Sequence, residues 1–159
     1  MNDGAAEKKP KATRAEQASV TRQRLLAAAT EVIQQDGAGS LTLDRVAAQA
    51  SISKGGLLHH FATKDDLIVS LLNETLGAAS DELDRRTRKY ERSHGSFAFA
   101  YLDYVLDPYV EATSIASSIL AAAALDEAML ADARDTFAHW QQRLIDDDGI
   151  SEMAALLAR

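Results

Sequence analysis

Within a few helical turns of sequence, between Gly37 and Thr63, the chain carries one helix stop and three helix starts. Gly37, in "DGAGS", suits the left-handed position that closes a helix. Thr42, Ser53 and Thr63 each stand where a side-chain oxygen can accept from the first free N–H groups of a new helix. Helices between these points are therefore held to about two turns each. The composition suits helix throughout: 47% hydrophobic residues but only 6% aromatic, much of the apolar content alanine, with two prolines and eight glycines. A chain of 159 residues suffices for one ordinary domain or two small halves sharing a core.

Residues 1–18 lack apolar periodicity and contain "EKKPK", which reads as a flexible, mildly basic arm. A first helix is expected after Ser19 or Thr21 as N-cap. Its Leu25, Ala28, Ala29 and Val32 recur at i, i+3, i+4, i+7, and Leu26 and Ile33 widen the stripe. The second, capped by Thr42, places Leu43, Val46, Ala47 and Ala50 at the same spacing. Ser53 opens a third, Lys54 to His60. Thr63 opens a long fourth, with Asp66 as its capping-box partner and Asp65 at the positive end of the helix dipole. There Ile68, Leu72, Thr75, Ala79 and Leu83 keep one face apolar until "DRRTRKYERSHG" turns the chain polar. Further helices are predicted over Phe97–Leu106, ended by an Asp-Pro pair, over Pro108–Leu125, and over about Glu127–Ile145. Ser151–Arg159 starts like a capped helix.

Several function classes fall away. With no cysteine there is no disulfide, thiolate zinc site or cysteine nucleophile. The polar N-terminus has no signal peptide, and the longest uncharged run, Ala112 to Leu125, is too short to span a bilayer, so a cytoplasmic protein without membrane contact is expected. His59, His60, His94 and His139 have no partner at metal-ligand spacing, and no catalytic triad order, P-loop or dinucleotide fingerprint occurs. No metal, cofactor or enzymatic activity is expected. Charge is uneven: residues 1–64 hold nine Lys/Arg against six Asp/Glu, and residues 65–159 hold eight against eighteen. A basic front and acidic back orient the molecule toward a polyanion, or describe an acidic domain with a solvated basic tail.

Two short helices behind a longer brace form the helix-turn-helix arrangement that sets its second member in the DNA major groove. At 100° per residue, Leu57, Leu58 and Phe61 of the third segment cluster inward, and Gly55, Gly56 and His59 face outward, with His60 at the border. Each glycine costs a helix roughly 1 kcal/mol relative to alanine. The return is bare backbone that can come close to a phosphate or base edge at a helix N-terminus. The alternative is that "SKGG" forms only a turn and the helix begins later.

The run "TRQRLLAAATEVIQQDGAGSLTLDRVAAQASISKGGLLHHFATKDDLI", Thr21 to Ile68, resembles the N-terminal domain of TetR-type (TetR/AcrR) transcriptional regulators. An aliphatic first helix ending in Gly37, "LTLDRVAAQA" as second helix, "SKGGLLHHF" as recognition helix and "TKDDL" opening the fourth occur in the family's order. The resemblance implies an all-α protein: a helix-turn-helix DNA-binding domain at 19–65, then a helical effector-binding and dimerisation domain at 66–159. It implies a homodimer on a palindromic double-stranded DNA operator, repression relieved by a small-molecule effector, and no enzymatic role. Carried over by position, the DNA-binding surface has Thr42 on a phosphate, Lys54 and Gly55 at the leading end of the recognition helix behind its cap Ser53, and Gly56 where the family often has threonine or alanine, so that no side chain makes the contact common there. His59 and Lys64 touch the DNA backbone, while Leu57 and Phe61 are core. Leu58 stands where a phosphate-binding tyrosine is frequent, with burial expected, and Ser51 replaces the usual turn glycine. The family's last two long helices are expected to be lacking, with only Ser151–Arg159 at their start.

Downstream, Phe97, Tyr101, Tyr104, Tyr109, Phe137 and Trp140 supply most of the aromatic surface. Any one of them is explained by core packing; together they suit an effector pocket between helices. The rival from another class is a protein-interaction module that has lost DNA binding.

Overall fold

A computed structural model describes residues 13–90, 95–107, 111–123 and 127–146. The described chain forms seven α-helices: α1 (Arg14–Asp36), α2 (Leu43–Gln49), α3 (Lys54–Leu58), α4 (Lys64–Thr87), α5 (Ser96–Val105), α6 (Glu111–Ala123) and α7 (Ala131–Asp146). Short 3-10 turns stand at Ala38–Ser40, Arg88–Tyr90 and Ala128–Leu130. The all-α class is as expected, and none of the described helices is long and apolar enough to cross a membrane.

The first helix begins earlier than its apolar stripe. Thr13, not Ser19 or Thr21, is the N-cap: its hydroxyl accepts from Glu16 N at 3.2 Å, and Glu16 accepts from Thr13 N at 2.6 Å. This capping box is written in the sequence as "TRAE". Residues 13–20 are all exposed, so local hydrogen bonding and not burial sets the start, which is why periodicity alone misses it. The arm assigned to 1–18 thus overlaps α1, and residues 1–12 lie outside the described part.

Inside, Leu25, Leu26, Ala28, Ala29, Val32 and Ile33 of α1 pack with Leu41, Val46, Ala47, Leu57 and Phe61. The caps fall where the residue types placed them. Thr42 accepts from Arg45 N at 3.2 Å, Ser53 from Gly56 N at 3.1 Å, and Thr63 and Asp66 exchange two bonds of 3.0 Å. Between α2 and α3, Ser51 takes φ +53°. Its N–H donates to Ala48 O at 3.0 Å and that of Ile52 to Ala47 O at 2.9 Å, the paired bonds of a Schellman closure. The turn does need positive φ, and serine adopts it.

The C-terminal helices gather on α4. Its Leu67, Ile68, Leu71 and Leu72 are buried at one end, and Leu76, Ala79 and Leu83 further along. α7 runs beside it in the same direction: Asn73 donates to Asp132 (2.7 Å), Trp140 Nε1 to Ser80 Oγ (3.2 Å), and Arg143 to Asp84 (2.5 Å). Arg86, within the run read as polar, is the buried charged residue among those described. It donates to Glu82 (2.5 Å), to the Asp103 carbonyl (2.7 Å) and to Asp107 (2.7 Å), and lies 5.6 Å from the Tyr104 ring. This ties the end of α4 to the end of α5. The hydrogen bond from Arg86 holds the Glu82 carboxyl below the usual carboxylate range.

Two outcomes follow for stability. Ser51→Gly removes the cost of a left-handed residue with a side chain and should raise the unfolding free energy by about 1 kcal/mol in a urea titration. Arg86→Met takes the shared cation from Asp103 and Asp107 and leaves Glu82 with Arg85 alone, and should cost about 2 kcal/mol or more. Because folding lowers the Glu82 pKa, its contribution is present above the usual carboxylate range and is lost as pH falls from there through the lowered folded value. Wild type should therefore lose stability on acidification more steeply than Arg86→Met.

Candidate functional site

The left-handed turn at Ser51 brings the starts of α2 and α3 together, and a contact records it: Lys54 Nζ, on the first residue of α3, lies 2.9 Å from the Asp44 carboxylate in the first turn of α2. Thr42, Ser53, Lys54, Gly55, His59 and Lys64 are all exposed, and Gly56 is half-buried. His59 caps the end of α3 with its ring edge-on to that of half-buried His60, 5.6 Å away. Lys64 opens α4, and among the described residues no hydrogen bond or ion pair joins its side chain or that of His59 to the Asp44–Lys54 pair.

The two glycines differ. A Cβ on Gly55 would meet nothing within 4 Å, so this position is bare backbone open to a ligand. A Cβ on Gly56 would press on Ile52 Cγ2 at 3.0 Å and Ser53 Oγ at 3.2 Å. Gly56 therefore faces the turn and not the outside, correcting the outward placement read from the helical wheel. The wheel also fails at Leu58, which is 42% exposed. α3 ends there, and Leu57 and Phe61 already fill the core, at 0% and 1% exposure.

Sequence counting overstates the free positive charge. Arg22 stacks on Phe61 at 5.2 Å, Arg24 donates to Ala50 O at 2.8 Å at the negative end of α2, and Arg45 pairs with Asp36. With Lys54 on Asp44, these basic residues are committed within the domain. Local spacing gives little sign of these ties, since the partners lie on different helices.

A second feature lies between α4, α5, α6 and α7: a cavity of about 190 Å³ whose walls include Tyr101, Tyr104, Phe137 and Trp140, with Thr75 and Ser117. Trp140 meets Phe137 edge-on at 5.3 Å and Tyr101 at 6.5 Å. Burial pushes both tyrosine phenols up. Phe97, expected among these aromatics, is instead fully buried beneath the Arg143 guanidinium, 4.0 Å from its ring. Tyr109 lies outside the described residues, as does Ser151–Arg159. No group of three metal-ligating side chains occurs among the described residues.

Two short helices hinged at a left-handed turn, joined by one long helix to a bundle with an aromatic cavity, define a helix-turn-helix regulator. The family comparisons give the particular kind. Residues 25–71 match the model for bacterial regulatory proteins of the tetR family, and residues 95–159 match the tetracyclin repressor-like C-terminal domain. The chain belongs to the tetR family, whose role is regulatory and not enzymatic. Among solved structures, it is similar to a transcriptional regulator (RHA1_ro04179) from Rhodococcus sp. Rha1: 26% identity over 86% of this chain and 75% of that one, TM-score 0.66. It is also similar to a TetR family member (SCO1917) from Streptomyces coelicolor A3, with 25% identity over 87% and 75% and a TM-score of 0.61. The multidrug binding protein EbrR with malachite green shares the fold at 22% identity, over 86% of this chain and 79% of that one, TM-score 0.68. No curated protein matches the chain.

The glycine pair gives a direct check. Gly55→Ala should stabilise the free protein, by up to about 1 kcal/mol. Gly56→Ala should gain nothing or lose stability, because Ile52 must give way. Paired denaturant titrations read the difference.

Proposed function

We propose that this regulator is a ligand-responsive repressor of the cytoplasm that binds a palindromic DNA operator as a homodimer. The observation that carries the reading is the pair of capped, exposed helix starts at Thr42 and Ser53, set side by side by the Ser51 turn. In this reading Thr42 and Ser53 contact phosphate beside the free N–H groups of their helices. Lys54 and Lys64 bind phosphate as mobile charges, with His59 beside them on the backbone. Gly55 lets the backbone approach the groove. Gly56 keeps the turn tight behind it, and exposed Leu58 is free to touch a thymine methyl.

The aromatic cavity is the proposed effector site. In its favour, EbrR, a protein of this fold, has been solved in complex with imidazole, at 25% identity over 86% of this chain and 77% of that one, TM-score 0.62. Effector entry between α4 and α7 would shift α4. Two recognition helices would then lose their match to half-sites about 34 Å apart. A protein-interaction module without DNA binding is not favoured, because the capped helix starts and Lys54 and Lys64 remain exposed.

Selection from a random duplex library at near-physiological salt should enrich a palindrome; recovery of unselected sequence contradicts the reading. On the selected site, Lys54→Ala with Lys64→Ala should weaken binding. It should also flatten the plot of log affinity against log salt by about 0.9 per lost phosphate contact.

A further inference from the structure

Asp44 is an odd residue to find where it stands. It occupies the first turn of α2, two residues after the Thr42 cap, and is exposed. A first-turn carboxylate suits the helix dipole. Yet on a surface proposed to meet phosphates it adds a negative charge, and its oxygens lie 2.9 and 3.1 Å from Lys54 Nζ. The cation at the leading end of the recognition helix is thus paired with a carboxylate in the free protein, at an exposed and exchangeable contact. The neighbouring cation Arg45 is likewise held, by Asp36.

Resting on the DNA-binding reading above, we propose that Asp44 is a specificity-determining residue: it masks Lys54 and holds down sequence-independent affinity for DNA. A phosphate must displace the Asp44 carboxylate before Lys54 can release a counterion, so the attraction any duplex offers is reduced by one contact per protomer. On the right sequence the displaced carboxylate has a use, because it can accept from the exposed amino group of a cytosine in the major groove. Elsewhere it is left facing phosphate. The pair therefore lowers affinity broadly and restores it selectively, which widens the gap between operator and bulk DNA.

The test uses the full chain and a fluorescent random-sequence duplex, with affinity measured across a salt series. Asp44→Asn should bind this duplex about 5-fold tighter per protomer near 0.15 M salt, with a slope steeper by about 0.9, one added counterion release. Asp44→Glu, which keeps the charge, should stay near wild type. In a Lys54→Ala background, Asp44→Asn should give no such gain, because no cation remains to be unmasked. Unchanged binding by Asp44→Asn, a gain that persists undiminished without Lys54, or an equal gain on the selected operator overturns the inference while leaving DNA binding standing. If no variant, wild type included, binds any duplex, the DNA-binding reading fails and the inference with it.

Discussion

One buried core runs the length of α4. Leu67, Ile68, Leu71 and Leu72 near its start and Leu76, Ala79 and Leu83 further along belong to the same cluster, which also holds the apolar residues of α1, the helix-turn-helix and the helices behind it. α1, α5, α6 and α7 all pack on this one helix. A rigid helix rises about 1.5 Å per residue, so a displacement at its far end is carried to the near end with little loss. Thr75 lines the aromatic cavity and also a groove of about 230 Å³ against Leu26 and Thr30 of α1. The long helix thus links cavity and helix-turn-helix, and α6, which walls the cavity and packs on α1 and on the Ala38–Ser40 turn, joins them as well.

The far end of that link is fixed by charge. Arg86 gathers Glu82, Asp103 and Asp107, so the ends of α4 and α5 move as one unit unless a charged group is left uncompensated. Tyr104 lies against the same guanidinium and also walls the cavity. The helix-turn-helix end is balanced differently, by exposed pairs that water and salt weaken readily. A firm joint at one end and exchangeable pairs at the other suit a body that must hold its shape while its surface trades partners.

What could be read from the sequence was what local chemistry decides. The caps at Thr42, Ser53 and Thr63 involve neighbours three residues apart, and all three occur as read. Thr13 is equally local, but a search led by apolar periodicity passed over it because residues 13–20 bury nothing. The helical wheel placed Leu57 and Phe61 correctly and failed at Gly56 and Leu58, where α3 is too short for ideal angles to hold. Arg86 was out of reach: two of its partners lie 17 and 21 positions away, and nothing in "DRRTRKYERSHG" separates it from its solvated neighbours. Four of the six aromatics proposed for a pocket line one cavity, whereas Phe97 is buried in the hydrophobic core with the Arg143 guanidinium over its ring.

The central claim is that DNA meets the starts of α2, α3 and α4. It is tested most directly by following the backbone amides of the labelled protein by NMR as a short duplex is added at low salt. The account expects the earliest and largest shifts at Thr42, Ser53 to Gly56 and Lys64, with the amides of α5 and α7 little changed. Shifts confined to residues 95–146, or none at any duplex concentration, would contradict it.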